Sequence, residues 1–364
     1  MHYLDWFAIG GYFILLLGLG FYRSSIKNDD SDFILAGRKL SLPGFIATLV
    51  ATWYGGILGV GENTYHYGIQ TWFIFAFPYY VFGLLFAIFL APKIRNLPHH
   101  SIPDHFRKHF GHNAGIFSAV LILFLASPAP YILSFGILLQ HTLGWNLLPA
   151  ILFSTIVSLI YIWYGGFRSV IRTDILQFIF MFTGFVSLLV FSWNYFGSPK
   201  TLFTELPERY FDPTGGNSIQ YILVWFFIAL WTFIDPGFYQ RTAAAKSPET
   251  ARKGILISIG FWFVFDLLTI STGLYAVAIL PNQTAAMAYP ELAYHILPPF
   301  VYGIFLAGLF STIMSTIDSN GLISAITFGR DILGRIQNRE NISDSTGSIR
   351  KGLVVMAFIA ILLS

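Results

Sequence analysis

Apolar positions in this chain fall into long unbroken runs, and polar residues gather in the short stretches between them. Runs able to cross about 30 Å of hydrocarbon at 1.5 Å per residue predict nine membrane helices, at 4–22, 43–68, 71–92, 114–139, 146–164, 174–196, 219–239, 254–280 and 299–328. A tenth run opens near Gly352 and is still apolar at Ser364. Its remaining length of about 13 residues is too short to span, so the protein is expected to continue beyond this point.

Two of the runs are interrupted. The second contains Gly55, Gly56, Gly59 and Gly61, followed by Glu62 and Asn63. Glycine weakens a helix interior, and a carboxylate facing lipid is costly, so the middle of this run is expected to unwind. The seventh contains Asp235-Pro236-Gly237, where proline removes a backbone donor and disfavours the helical state before it. The breaks lie five runs apart, the separation an inverted repeat of five plus five helices produces when the first helix of each half is discontinuous. Close packing at the glycines and a simple kink at Pro236 are the alternative readings.

The ninth run places oxygen atoms inside an apolar segment. At 100° per residue, Ser311, Thr312, Ser315, Thr316, Asp318 and Ser319 share an arc of roughly 160° on a helix. An oxygen-lined face without sulfur or imidazole suits a hard cation. The same hydroxyls equally suit hydrogen bonds between packed helices, and periodicity leaves both readings open.

Composition agrees with the runs. Of 364 residues, 55% are hydrophobic and only 11% charged, against about 25% charged in soluble domains. There is no cysteine, which removes disulfides and thiolate metal sites. The first run lacks a basic leader and a small-residue cleavage site, so it reads as a retained helix rather than a signal peptide. Of the 21 Lys and Arg residues, all but Lys200 and Arg209 fall in alternate loops on one side. Because cytoplasmic loops accumulate basic residues, a multi-pass protein of the plasma (inner) membrane with its N-terminus outside the cytoplasm is expected. The histidines at 99, 100, 105, 109 and 112 read as a solvated interfacial loop. No phosphate loop, no nucleophile-base pair and no basic-aromatic surface for nucleic acid is present, so no enzymatic role is expected.

Four stretches resemble the sodium:solute symporter family over nearly the whole chain: Phe33–Arg38, Gly165–Gln177, Gln240–Lys246 and Met314–Ser319. The resemblance implies an all-α, leucine-transporter-like inverted-repeat fold: one extra N-terminal helix at 4–22, a first repeat at 43–196, and a partial second repeat at 219–364 that ends in the ninth core helix, all within a single transmembrane domain, 1–364. It implies a co-transported sodium ion held by the carbonyls of Ala51, Tyr54 and Thr312 and the hydroxyls of Ser315 and Thr316. Asp174 is similar to the acidic residue near the family's inner sodium exit; a helix cap beside Arg172 is the alternative. Trp231 falls where sugar carriers of the family place an inner gate, whereas Glu62, Asn63 and His66 depart from the sugar-carrier pattern. Gly55, Gly56, Glu62, Asn63, Trp231 and Asp235 are the candidates for solute binding or gating.

The expected function is sodium-coupled symport of a small polar solute by alternating access, with a membrane sensor module of a signalling protein as the alternative. Partners are then sodium, the solute and the lipid bilayer, without nucleic acid; an oligomer is compatible with this.

Overall fold

The computed structural model describes residues 1–22, 30–335 and 345–364, so Arg23, Lys27 and Arg339, which contribute to the charge asymmetry, lie outside the described residues. The described residues contain eight helices long and apolar enough to cross a membrane, nine when one bent pair is taken as a span. In chain order the elements that matter are α1 (Tyr3–Phe21), α2 (Leu42–Ala51), α3 (Ile57–Tyr67), α4 (Phe77–Phe89), α5 (Ile102–Phe110), α6 (His112–Leu125) and α7 (Ala129–Leu143). They are followed by α8 (Leu147–Phe196), α9 (Ile219–Ile228), α10 (Pro236–Ala244), α11 (Pro248–Ile279), α12 (Ala288–Ile296), α13 (Val301–Ile326) and α14 (Ser345–Leu363). Among the described residues the one extended pairing is an isolated bridge between Leu40 and Ala245.

Helix α8 is 50 residues long, or about 75 Å, more than twice the hydrocarbon thickness. It is two spans meeting at Gly166, whose φ of 53° and ψ of −141° turn the chain back. Only glycine fits there: a Cβ would lie 2.5 Å from the Phe33 carbonyl oxygen. With that division the span order follows the apolar runs. The last helix departs from its expected start near Gly352, since α14 begins at Ser345 and its first turns carry Arg350 and Lys351.

Helix starts follow local chemistry. Ser41, Ser101, Ser218, Asp235 and Ser247 each accept a backbone N–H of the following turn through the side chain, as N-caps do. In the loop 197–218, Pro199–Glu205 forms a short helix.

Both expected breaks are present. Between α2 and α3 the chain passes through a single 3₁₀ turn, Thr52–Tyr54, and bends by 57°. Between α9 and α10 it runs through a 3₁₀ segment, Ala229–Phe233, before Pro236 restarts the helix. Helix α13 is the buried centre: every residue of it except Val301, Ile304 and Asn320 is buried, whereas more than half of α8 is not. The fold is the all-α inverted repeat with a discontinuous first helix in each half.

Candidate functional site

The break between α2 and α3 lies directly against α13. Ser315 Oγ donates to the Ala51 carbonyl at 2.6 Å and Thr316 Oγ1 to the Thr52 carbonyl at 2.8 Å. Both hydroxyls also lie 3.3 Å from the Thr312 carbonyl. Gly55 permits the approach, because a Cβ there would meet the Thr316 side chain at 2.6 Å. Ala51, Thr52, Thr312, Ser315 and Thr316 thus form one cluster of neutral oxygens. That donor set fits a hard monovalent cation, since it contains neither sulfur nor imidazole. To hold an ion the two hydroxyls need only rotate their protons away from the carbonyls. Tyr54 turns its side chain elsewhere: its hydroxyl donates to the Trp262 carbonyl at 3.2 Å and its ring packs on Phe265. The carbonyl in contact with Thr316 is that of Thr52, two residues earlier.

The oxygen-lined face of α13 divides among three neighbours. Ser311 and Thr312 donate to their own helix, at Ala307 and Leu309. Asp318 points to α8, where the Tyr161 hydroxyl donates to its Oδ2 while Oδ1 has no hydrogen-bond partner. Ser319 accepts from Arg241 Nη2 at 2.6 Å.

Arg241, counted among cytoplasmic loop residues on sequence, is fully buried. Its Nη2 also donates to Thr52 Oγ1 at 2.7 Å and lies 3.7 Å from Asp174 Oδ2, and its guanidinium sits 5.6 Å from the Phe167 ring centroid. Asp174 in turn accepts from Thr48 Oγ1. One cation therefore ties α10 to the turn that follows α2, to α8 and to α13, on the side of the oxygen cluster nearer Arg330 and Arg335. Asp174 faces this network rather than capping a helix start, because α8 continues through it.

Above Arg241 the two breaks enclose a cavity of about 360 Å³ whose lining includes Gly56, Trp53, Trp231, Asp235, Asp266 and Arg241. Trp231 Nε1 donates to Asp235 Oδ2 at 3.1 Å, and Asp235 Oδ1 caps α10 by accepting from Phe238 N at 2.7 Å. Asp266 lies in the middle of α11 and accepts from the Tyr80 hydroxyl. Of the sequence candidates for solute binding or gating, Gly56, Trp231 and Asp235 line this cavity, and Tyr54 and Thr316 of the sodium set also reach it. Gly55 packs on Thr316, Glu62 is exposed on α3, and Asn63 Nδ2 donates to Thr71 Oγ1 at 2.8 Å. Asp266 and Arg241 escaped the sequence reading. A carboxylate in the middle of an apolar run was the available signal for Asp266; for Arg241 there was none, since it looks like any basic residue at a helix end.

Two discontinuous spans crossing at a polar cavity, with a hydroxyl-bearing span docked on one break, is the architecture of a secondary transporter built on inverted repeats. The chain belongs to the sodium:solute symporter family, whose model matches residues 33–364. Members of that family are transporters rather than enzymes, and sodium is the ion they co-transport. Among relatives, the osmoregulated proline transporter OpuE of Bacillus subtilis is 25% identical over 387 residues, covering 98% of this chain and 77% of that protein. The sodium/pantothenate symporter of Haemophilus influenzae is 29% identical over 59% of this chain and 46% of its own length. The high-affinity choline transporter 1 of Drosophila melanogaster is 24% identical over 88% of this chain and 55% of its own length. A solved structure described as the substrate-bound outward-open state of a Na+-coupled sialic acid symporter shares the fold, with a TM-score of 0.87, 18% identity, and coverage of 99% of this chain and 81% of that one.

Proposed function

We propose that this protein carries a small polar solute across the plasma membrane with sodium, by alternating access, its N-terminus outside the cytoplasm. The observation that carries this reading is the docking of Ser315 and Thr316 on the Ala51 and Thr52 carbonyls. An ion held jointly by α13 and the break between α2 and α3 binds well only when those elements are together. It therefore favours one conformation over another, and differential affinity is what coupling requires. In this reading Ala51 and Thr312 supply carbonyls, Ser315 and Thr316 supply hydroxyls, and the fifth oxygen comes from Tyr54 or, on the contact geometry, from Thr52. At ~100 mV one inward charge contributes about 2.3 kcal/mol, roughly a 50-fold solute gradient at 1.4 kcal/mol per tenfold.

The solute sits in the cavity between the breaks, with Gly56, Trp231 and Asp235 in its wall, Trp231 serving as gate. Asp174 and Arg241 close the route below the ion. The test is uptake of a panel of labelled solutes by proteoliposomes under an inward sodium gradient. Accumulation that collapses when the gradient is dissipated is expected. Uptake that is indifferent to sodium for every transported solute would overturn the reading.

A further inference from the structure

The charges lining the cavity do not balance. Asp235 and Asp266 reach it from different elements, the start of α10 and the middle of α11. Their partners are neutral donors: Trp231 Nε1 and Phe238 N for Asp235, and the Tyr80 hydroxyl for Asp266. Neither forms an ion pair with a Lys, Arg or His among the described residues. Arg241, the cation in the lining, attracts Asp235 from a distance without forming an ion pair with it, and is itself held by Ser319, Thr52 and Asp174.

A carboxylate within a membrane span is expensive unless paired, and marks a ligand or ion path when it persists. The capping and hydroxyl-accepting roles of these residues do not require charge, because Asn or Ser caps a helix as well as Asp and an amide oxygen accepts from a tyrosine. What these roles leave over is the capacity to carry a negative charge, which a cation seated in the cavity would stabilise.

The remaining wall is aromatic. Trp53 packs edge-on against Tyr79 at 5.1 Å and against Phe238 at 5.4 Å, and Trp231 adds a further ring to the lining. Aromatic faces and carboxylates together favour a desolvated cation, through ring quadrupole and charge. The volume of about 360 Å³ lies at the small end of ligand pockets, roughly 300–1,000 Å³.

We propose that this cavity selects solutes bearing a cationic nitrogen, an ammonium or quaternary ammonium, seated between Asp235 and Asp266 against the Trp53 and Trp231 rings. The inference rests on the transport reading in taking the cavity as the solute site. Helix α3 starts at the cavity, at Gly56, without a side-chain cap. The N–H groups of that first turn would receive a carboxylate if the solute is a zwitterion, so the shared chemistry is the cationic nitrogen.

The test is calorimetric titration of the purified whole chain in lipid nanodiscs at saturating sodium. The probes are choline, glycine betaine, L-proline, D-glucose and 3,3-dimethylbutan-1-ol, the neutral isostere of choline. At least one nitrogen cation is expected to bind ten-fold or more tighter than 3,3-dimethylbutan-1-ol and D-glucose. Asp235→Asn and Asp266→Asn are each expected to weaken that binding at least ten-fold while the sodium-induced thermal shift persists, which shows the variants folded. Tighter binding of glycine betaine or L-proline than of choline marks a zwitterion, and the reverse marks a simple cation. Equal or tighter binding of a neutral probe, no binding of any cationic probe, or undiminished affinity in both variants overturns the proposal. Loss of the sodium-induced shift in the unmodified protein would instead refute the sodium-coupled reading.

Discussion

Replacing Arg241 by methionine keeps most of the side-chain volume and removes one fully buried charge. It deletes donors to Ser319 Oγ at 2.6 Å and Thr52 Oγ1 at 2.7 Å, and leaves Asp174, also fully buried, without the cation 3.7 Å away. Breaking a buried pair by removing one partner costs about 3–5 kcal/mol, chiefly through the charge left behind. If that energy holds α10 against α2 and α13, losing it shifts the closed arrangement by a factor of roughly 10² to 4 × 10³. The absence of cysteine provides a clean background for measuring this. Asn320→Cys, in the cavity lining, should be alkylated slowly by a membrane-impermeant reagent added on the side of Arg330 and Arg335. In the Arg241→Met background the rate should rise at least ten-fold, with a clear fall in Tm. Adding Asp174→Asn should recover most of the Tm, because the orphaned charge is then gone. Unchanged labelling together with an unchanged Tm in Arg241→Met would refute the assignment of this residue as the inner closure.

Other outcomes follow from the same geometry. Gly55→Ala puts a methyl group 2.6 Å from Thr316, so the sodium concentration giving half-maximal uptake should rise about ten-fold, the equivalent of 1.4 kcal/mol; a sodium titration of uptake checks it. Glu62→Gln should leave solute affinity within about two-fold, as expected for an exposed surface change of under 0.5 kcal/mol, read by equilibrium binding. On the side of Arg330 and Arg335, α13 runs on as a π-helical segment, Thr327–Gly334, whose Arg330 pairs with Asp104 of α5 at 2.9 Å, as does nearby Arg335. Burial pushes the Asp104 carboxyl up, but the Arg330 and Arg335 guanidiniums outweigh it and hold it below the usual carboxylate range. A depressed carboxylate stabilises above its unfolded pKa, about 3.9, and that contribution is lost as pH falls through the folded value. Tm should therefore drop on acidification below about pH 4, and Asp104→Asn should have a lower Tm at pH 7 with a flatter acid limb.

The spans were legible because burying backbone in lipid leaves only long apolar helices, and the breaks because Gly55-Gly56 and Asp235-Pro236-Gly237 each violate a helix rule inside such a run. The hydroxyls of α13 were legible as a group, but periodicity reports an arc and not its neighbours. Only the fold separates Ser315 and Thr316, which meet α2, from Asp318, which meets Tyr161, and Ser319, which meets Arg241. Glu62 and Asp266 make the same point in reverse. Both are carboxylates in apolar runs, yet one faces outward from α3 and the other lines the cavity. Arg241 was misplaced because a basic residue at the end of a run has the composition of a loop, whereas its partners lie on α8, on α13 and in the turn at the first break.

The most direct measurement is the sodium dependence of solute uptake by Ser315→Ala and Thr316→Ala, alone and together. Each removes one oxygen from the cluster at the Ala51 and Thr52 carbonyls. Loss of one such polar contact, about 1–3 kcal/mol, should raise the half-maximal sodium concentration roughly 5- to 150-fold, with maximal uptake at saturating sodium largely kept. Sodium curves that superimpose on the unmodified protein in all three variants would place the ion elsewhere and contradict the coupling site described above.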